Sequence, residues 1–390
     1  MTASRGQQIC LVMAFLALIA VVAPSQIALD LREEEPPQIL ELFRQVPTRA
    51  SLRRLEGDLE TRCRLVQAVR PWMQYARFVL LEDAGDKALL GRAGWFFYRP
   101  AAQYLIEPLP VRSVPVRASK ETPHGVTTSE DNIIAAIVAF RDDLAKRGIK
   151  LLVMPAPNKA SIYPEMLAAR AAGMSGPVNP ATRDVLAKLK EAGVEIVDLF
   201  EIYAEARKKE PYVNFYLSQD SHWSPAGMRW AAGAVARRLL DLGWVKKGQA
   251  TYWPRPVRVK RYGDVLRMIR SPQIERRYVP QWMDCSQVAD RWTQEIYQDD
   301  PNSPVLVLGD SFLRIFERDE PGSGGFVAHL AYHLGFGVTS VVNDGGASTL
   351  VRQQLARKPA LLEGKKVVLW EFVERDIRFG TEGWQVIPLP

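Results

Sequence analysis

The sequence predicts an α/β protein built on a parallel sheet that is covered by helices on both faces. Short apolar segments alternate with helical segments from about residue 129 to residue 370. The apolar segments are nearly continuous runs, as expected for strands that are buried on both faces. A chain of 390 residues can bury a large core.

Five apolar runs are predicted as strands, at residues 149–154, 194–199, 305–308, 338–342 and 367–370. Helices are predicted between them, at residues 129–146, 181–192, 224–242, 326–334 and 348–357. The helix at 224–242 has the clearest start, with Ser224 as its N-cap and Pro225 at its first position. Residues 245–303 are rich in Pro, Arg, Trp and Tyr, and we predict an irregular insertion there.

The N-terminal residues 1–29 are predicted to be a signal anchor. Arg5 precedes an uncharged apolar run, and extending that run to Leu29 gives about 20 residues, enough to cross a bilayer. Cleavage after Ala23 would place Pro24 at the mature N-terminus, so a cleaved signal peptide is the less favoured alternative. Arg5 on one side and the acidic residues after Leu29 on the other place the bulk of the chain outside.

The domain organisation follows from these segments. Residues 30–87 are predicted to be a juxtamembrane helical region, with a helix at 49–68, and residues 88–390 the main domain. Within the main domain, 91–98 is predicted to be a turn entering a strand, and the Pro/Ser/Thr-rich residues 108–128 a loop. Cys63 and Cys285 are the only cysteines after the anchor, and a disulfide between them is open but not favoured.

Charge gives a weak indication of partners. Lys and Arg exceed Asp and Glu by 51 − 44 = 7, and this excess is spread over the whole chain. No dense basic run or nucleic-acid motif is visible, so we expect no nucleic-acid partner. The mild basic excess favours an anionic partner.

Two short motifs carry the chemistry. Residues 220–223 read Asp-Ser-His-Trp, and residues 309–312 read Gly-Asp-Ser-Phe at the end of a predicted strand. A serine hydroxyl becomes a good nucleophile when an imidazole accepts its proton and a carboxylate orients that imidazole. In an extended segment Asp220 and His222 project to the same side, and ligands of α/β sheets bind at the carboxyl ends of strands. The motifs thus supply Asp220, His222 and Ser311 as a triad, although each taken alone is also an ordinary turn.

A metal site is the alternative interpretation of Asp220 and His222. The sequence offers no His-rich or Cys-rich cluster to complete it. His329 and His333 are spaced i, i+4 within an apolar helical pattern, which is typical of a packed helix face. We therefore expect no metal and no other cofactor.

Five segments together resemble the alginate O-acetyltransferase family of the AlgJ/AlgX type, a branch of the SGNH (GDSL-like) hydrolase superfamily. The segments are Gly-Arg-Ala-Gly-Trp-Phe-Phe-Tyr at 91–98, Pro-Ala-Pro-Asn-Lys-Ala-Ser-Ile-Tyr-Pro at 155–164, Asp-Ser-His-Trp-Ser-Pro-Ala-Gly at 220–227, Gly-Asp-Ser-Phe at 309–312 and Trp-Glu-Phe-Val-Glu-Arg at 370–375. The resemblance covers roughly residues 88 to 380 and is nearest to the AlgJ arrangement.

The resemblance implies an SGNH-like three-layer fold with catalytic blocks in circularly permuted order. It implies that Ser311 is the nucleophile, His222 the general base and Asp220 its orienting partner. The implied activity is transfer of acetyl groups to hydroxyls of an alginate-like exopolysaccharide through an acetyl-serine. The implied setting is the periplasm, with the anchor in the inner membrane and a membrane-bound O-acyltransferase as donor partner.

The remaining site assignments are less determined. Candidates for oxyanion or substrate binding are Asn343, Gly345, Lys159, Tyr163, Trp223 and Arg375. Aromatic and arginine residues within 245–297 fit either a polysaccharide groove or a small satellite core. Two other functions stay open: a polysaccharide acetyl-esterase with the same triad, and a non-catalytic polysaccharide-binding scaffold of an export complex.

Overall fold

The computed structural model describes residues 5–33, 46, 48–106, 129–174 and 178–390. The loop predicted at 108–128 lies outside these residues. The chain divides into two compact units, one formed by Met1–Asp83 with Arg270–Arg277 and the other by Ala84–Ile269 with Tyr278–Pro390.

The secondary structure of the described residues alternates between helix and strand in the second unit. The helices are α1 (Arg5–Arg32), α2 (Arg49–Arg62), α3 (Arg64–Leu81), α4 (Arg99–Ile106), α5 (Ser129–Ala145), α6 (Lys159–Ile162), α7 (Pro164–Leu167), α8 (Pro180–Glu191), α9 (Leu199–Lys209), α10 (Pro225–Asp241), α11 (Asp264–Met268), α12 (Pro272–Glu275), α13 (Ser311–Arg314), α14 (Phe326–Leu334), α15 (Leu350–Ala356) and α16 (Asp376–Phe379). The strands are β1 (Ala88–Leu90), β2 (Phe96–Tyr98), β3 (Lys150–Ala156), β4 (Glu195–Ile196), β5 (Tyr252–Arg261), β6 (Gln281–Asp290), β7 (Val305–Gly309), β8 (Thr339–Val342) and β9 (Val367–Val373).

The described part of the first unit is helical and contains α1, α2, α3 and α12. The single helix predicted at 49–68 is instead two helices, because Cys63 has an extended backbone that separates α2 from α3. The hydroxyl of Ser271 donates to the carbonyl of Pro71 at 2.9 Å and ties α12 to α3. Among the described residues, no helix is both long enough and apolar enough to cross a membrane. Cys63 and Cys285 are buried free thiols.

The second unit contains the predicted parallel sheet. Its five strands lie in the order β4-β3-β9-β7-β8, and all neighbouring pairs are parallel. Every residue of β7 and β9 is buried, because helices cover both faces of the central strands. The α/β fold class is therefore confirmed. The carboxyl ends of β3, β9, β7 and β8 meet at one edge, and the polar motifs follow them there.

One predicted strand is mostly wrong. Residues 194–199 were expected to be extended, but only Glu195–Ile196 pairs with β3. The side chain of Asp198 accepts a hydrogen bond from the backbone N–H of Phe200 at 3.2 Å and caps α9, which the apolar pattern concealed. The helix α10 starts as predicted, with the Ser224 hydroxyl accepting from the Gly227 N–H at 3.2 Å.

The prediction of an irregular insertion at 245–303 is also wrong over much of its length. The strands β5 and β6 form an antiparallel hairpin of ten residue pairs. Pro254 and Pro256 argue against a strand, because proline has no N–H to donate. They are tolerated in β5 because this strand pairs along only one of its edges within the hairpin. The alternation of buried Val259 with exposed Arg258 and Lys260 was the available strand signal.

Candidate active site

The nucleophile candidate lies at the turn between β7 and α13. Ser311 is the first residue of α13, and Asp310 caps that helix through a bond from the Phe312 N–H to its carboxylate at 2.9 Å. The N–H of Asp310 donates to the Glu371 carboxylate of the neighbouring strand at 3.1 Å. Gly309 has no room for a side chain, because a Cβ there would overlap Glu371. This packing fixes the turn and leaves Ser311 partly exposed at the sheet edge.

The second motif lies on a short closed loop that leads into α10. The N–H of Leu217 donates to the His222 carbonyl at 3.2 Å, and the N–H of Ser224 donates to the Phe215 carbonyl at 2.9 Å. These bonds close the loop at its base and hold Asp220 and His222 on the same side. The loop and the nucleophile turn are 89 residues apart in sequence, yet His222 and Ser311 are in contact.

Asp220, His222 and Ser311 form a continuous hydrogen-bonded chain. The Oδ1 of Asp220 lies 2.7 Å from Nδ1 of His222, and Nε2 of His222 lies 2.8 Å from Oγ of Ser311. Asp220 is fully buried and His222 is 6% exposed. The order and distances are those by which an imidazole relays a proton from a serine and a carboxylate orients the imidazole.

A second carboxylate, Asp264, belongs to the site and was missed by the sequence analysis. Its Oδ2 lies 3.6 Å from Nδ1 of His222, and its backbone N–H donates to Oδ2 of Asp220 at 3.0 Å. Ser221 holds the Asp264 carboxylate through its N–H and its hydroxyl, both at 2.6 Å. The signal for Asp264 was only an acidic residue after a glycine at a helix start, which does not indicate its contact with His222.

Charge at the site favours an ionised Asp220 and a protonatable His222. Burial raises the pKa of Asp220, but the bond from His222 and the charges of His222 and Arg261 outweigh it and hold that pKa well below its usual range. Burial lowers the pKa of His222, but Asp220 and Asp264 outweigh burial, so the net shift is upward. Burial and the charge of Asp220 raise the pKa of Asp264.

Arg261 links Asp220 to the β5–β6 hairpin. Its guanidinium lies 3.6 Å from Oδ2 of Asp220 and 3.5 Å from Oδ2 of Asp319. Arg261 is the last residue of β5, so the hairpin supplies the cation that faces the buried carboxylate of the triad. The cation supports the ionised state of Asp220 near Oδ2, whereas His222 contacts Oδ1.

Lys159 and Tyr163 do not face a substrate site, contrary to the expectation from the sequence. Lys159 is 3% exposed, and its Nζ donates to three backbone carbonyls. Tyr163 is 4% exposed, and its hydroxyl accepts from the Phe215 N–H at 2.8 Å. Both follow β3 as predicted. They pack under the loop that carries Asp220 and are therefore shielded from solvent.

Trp223 is likewise a core residue and not a substrate contact. It is fully buried and packs against the rings of Phe312 and Phe326 at centroid distances of 5.0 and 5.8 Å. These contacts pack the loop that carries His222, here called the histidine loop, against α13 and α14. Arg375 lies over the ring of Tyr98 at 5.2 Å. Burial raises the pKa of Asp310, and the positive charge of Arg375 opposes this rise as well as the upward shift in the pKa of His222.

Asn343 and Gly345 follow β8 at the same sheet edge. The N–H of Asn343 donates to the Gly309 carbonyl at 3.0 Å, so it is not available to an oxyanion. The side chain of Asn343 is partly exposed, and Gly345 is exposed with a φ of +66°. Their oxyanion role stays a prediction.

The cluster of Asp220, His222 and Asp264 has side chains of the types that bind metal ions. Asp220, His222 and Asp264 bring one ligand atom each within 4.8 Å of one another. However, the same Nδ1 of His222 is bonded to Asp220 while Nε2 contacts Ser311. Both ring nitrogens are thus used in the chain that leads to the serine, and the arrangement fits proton relay. His329, the buried helix histidine, bonds to the Ser286 carbonyl at 3.0 Å and is part of the packed core.

A permuted parallel α/β sheet with this hydrogen-bonded chain at its carboxyl edge defines the SGNH hydrolase-like class of protein. Residues 88–374 match the family described as "SGNH hydrolase-like domain, acetyltransferase AlgX". The chain belongs to that family, and the AlgJ/AlgX resemblance read from the sequence is confirmed.

Two relatives of the chain are named as alginate O-acetylases. The chain is 27% identical over 172 residues to "Probable alginate O-acetylase AlgJ" of Pseudomonas aeruginosa, covering 42% of this chain and 34% of that protein. It is 23% identical over 260 residues to the protein of the same name from Pseudomonas fluorescens, covering 64% of this chain and 62% of that protein. The chain thus spans about one third and three fifths of these relatives.

The solved structure of the "O-Acetyltransferase Domain of Pseudomonas putida AlgJ" has the same fold. It superposes with a TM-score of 0.57 at 20% identity and covers 75% of this chain and 92% of that structure. Pseudomonas aeruginosa AlgX superposes with a TM-score of 0.51 at 19% identity, covering 73% of this chain and 62% of that structure. At these identities the similarity establishes the fold.

Proposed function

We propose that this protein is an O-acetyltransferase that transfers acetyl groups to hydroxyls of an exopolysaccharide through an acetyl-serine on Ser311. The observation that carries the proposal is the hydrogen-bonded chain from Asp220 through His222 to a partly exposed Ser311. Membership of the acetyltransferase family and the O-acetylase names of the relatives support the reaction class.

The first half-reaction acylates the serine. Nε2 of His222 accepts the proton of Ser311 Oγ as this oxygen attacks the acetyl carbonyl. The ionised Asp220 stabilises the imidazolium that forms and keeps Nδ1 as the hydrogen-bond donor. His222 then protonates the leaving group, and the acetyl group stays on Ser311 as an ester.

The second half-reaction delivers the acetyl group. An acceptor sugar hydroxyl enters near His222 and gives its proton to Nε2 as its oxygen attacks the acetyl-serine. The tetrahedral intermediate collapses, the sugar ester leaves, and Ser311 regains a proton from His222. The two halves form a ping-pong sequence in which one histidine serves as base and then as acid.

The oxyanion formed in each half needs hydrogen-bond donors. The backbone N–H of Ser311 is suited to this role, since the first helical N–H has no acceptor within its own helix. The Phe312 N–H is already bound to the Asp310 carboxylate. Asn343 or Gly345 after β8 is our candidate for the second donor.

The setting of the reaction is part of the proposal. We take residues 1–29 as an inner-membrane anchor that holds the chain in the periplasm. Acetyl-CoA is a cytoplasmic donor, so an exported enzyme needs a membrane-bound O-acyltransferase to supply acetyl groups. The anchor and the donor partner rest on the apolar run after Arg5 and on the family resemblance.

The test is Ser311→Ala expressed in a strain that lacks the chromosomal copy. We expect the exopolysaccharide to lose its O-acetyl groups, measured by NMR of the purified polymer, while the control Ser340→Ala, whose hydroxyl donates to the Asp299 carboxylate at 2.6 Å, keeps them. Full polymer acetylation with Ser311→Ala, at normal protein level, would refute the proposal and favour a scaffold.

A polysaccharide esterase is the second candidate, because the same triad serves when water replaces the sugar hydroxyl. Incubation of the purified protein with an acetyl-ester surrogate and an oligosaccharide separates the two. Acetylated sugar is the expected product. Release of free acetate with no acetylated sugar would point to the esterase.

A further inference from the structure

The ammonium of Lys159 is bonded to the loop that carries the triad aspartate. Its Nζ donates to the carbonyl of Leu217 at 2.9 Å, to that of Ser218 at 3.1 Å and to that of Asp220 at 2.6 Å. Three acceptors match the three N–H donors of an ammonium, so the donor capacity of Lys159 is fully used.

Two aromatic rings complete the enclosure of this ammonium. Nζ of Lys159 lies 4.9 Å from the ring centroid of Phe97 and 5.5 Å from that of Trp95, distances at which a cation is attracted to a ring face. Burial lowers the pKa of Lys159 to about 7, against the raising effect of the carboxylates of Asp220 and Asp264. The cost of burying this cation is offset by the carbonyls and the rings.

The contacts of Lys159 join two sequence motifs that the triad does not use to the loop that carries Asp220 and His222. Phe97 and Trp95 belong to the segment at 91–98, Lys159 to the segment at 155–164, and Asp220 to the histidine loop. Each of these motif segments supplies a group to one buried contact directly behind the catalytic carboxylate.

Removal of the ammonium would take this donor from the buried carbonyls of Leu217 and Asp220, while the Ser218 carbonyl would keep its bond from the Phe96 N–H at 2.8 Å. The loop can reduce the cost of the two unpaired carbonyls by rotating them toward solvent. The peptide between Asp220 and Ser221 contains one of these carbonyls, so its rotation moves the Asp220 side chain relative to His222. A displacement of about 1 Å in a catalytic group can cost roughly 100-fold in rate.

We propose that Lys159 is a positioning residue that holds the 217–220 loop in the conformation in which Asp220 meets His222. Lys159 does not contact substrate. The proposal rests on the function proposed above only in that it treats Asp220, His222 and Ser311 as the reacting groups.

The experiment compares Lys159→Met with a matched control, Lys365→Met. Lys365 is 6% exposed, and its Nζ donates to the carbonyls of Pro301 and Ser303 and to the Thr339 hydroxyl at 2.7 to 2.8 Å. It lies at the amino end of β9, at the opposite sheet edge from the triad. Both variants remove a buried ammonium with three oxygen partners, and only one removes it from the loop.

Two readouts separate positioning from general stability. One is the rate at which Ser311 is acylated by a small acetyl ester, with kcat and KM determined for the ester. The other is the low-field proton resonance of His222 Nδ1–H, which reports its bond to Asp220. We expect Lys159→Met to acylate about 100-fold more slowly with KM within twofold, and to lose or shift the resonance. Lys365→Met should retain both properties despite a lower melting temperature.

Three outcomes would overturn the inference. They are wild-type acylation with an unchanged resonance in Lys159→Met, an equal loss of acylation in Lys365→Met, or a large rise in KM with kcat unchanged. If Lys159→Met does not fold, Lys159→Gln, with two N–H donors for three carbonyls, takes its place under the same criteria. The resonance is measured without turnover, so a catalytically inert Ser311 would refute the proposed function without deciding the role of Lys159.

Discussion

The substitution Asp264→Asn tests how the second carboxylate controls His222. Oδ2 of Asp264 lies 3.6 Å from Nδ1 of His222, and its negative charge raises the pKa of the imidazole. Asparagine has nearly the same shape and keeps one acceptor for Ser221, while the backbone N–H that binds Asp220 is unchanged. The substitution therefore changes the charge and leaves most of the geometry in place.

The size of the effect follows from this distance. Two unit charges about 4 Å apart interact by roughly 4 kcal/mol at an effective dielectric constant near 20. At 1.36 kcal/mol per pKa unit this corresponds to at most about three units. The hydrogen bonds from Ser221 and the raised pKa of Asp264 itself reduce its effective charge. We therefore expect the pKa of His222 to fall by about one unit.

The assay is the pH dependence of acetyl-ester turnover. The base must be neutral, so the wild-type rate should rise as pH increases through the raised pKa of His222, and Asp264→Asn should move this ascending limb to lower pH by about one unit. Asp284→Asn is the control. Asp284 lies on β6, and its side chain is 91% exposed, so the same change of charge occurs in solvent. A shift of the ascending limb to higher pH, or an equal shift in the control variant, would refute the conclusion that the charge of Asp264 raises the pKa of His222.

Four other predictions test the packing around the site. Gly263→Ala should reduce acylation of Ser311 more than it lowers the melting temperature, because a Cβ there would overlap the Gln219 carbonyl beside Asp220; an unchanged rate would count against this. Ser224→Ala should lower the free energy of unfolding in urea by about 1 kcal/mol through loss of the α10 cap. Leu369→Ala, in the fully buried β9, should lower it by about 2–5 kcal/mol. Dialysis against a chelator should leave ester turnover unchanged, and a loss restored by added metal would favour the metal alternative.

The sequence predicts the parallel sheet, and it predicts that Asp220, His222 and Ser311 lie together, because the signals for both are local. Buried strands appear as short apolar runs, and the cap of α10 appears as Ser224 followed by Pro225. Asp220 and His222 share a motif, and Ser311 lies two residues after the end of a strand, so strand-end geometry brings them to one edge. The hydrogen-bonded chain between them is a property of the structure that these local signals anticipate.

The supporting groups escape sequence analysis because their partners are distant in the chain. Asp264 contacts a loop 43 residues earlier, and Lys159 contacts carbonyls about 60 residues later. Every residue type has a backbone carbonyl, so the sequence does not indicate which three carbonyls accept hydrogen bonds from Lys159. The β5–β6 hairpin was concealed by Pro254 and Pro256, whose residue type argues against a strand although the edge position permits them.

The most direct test of the account is detection of an acetyl group on Ser311. The purified protein is mixed with an acetyl ester, quenched in acid, and analysed by intact mass and by peptide mapping of the segment that contains residue 311. The account predicts one acetyl group per chain located on Ser311, absent in Ser311→Ala and in His222→Ala. Acetylation that persists in Ser311→Ala, or turnover of the ester with no acetyl group ever found on Ser311, would contradict it.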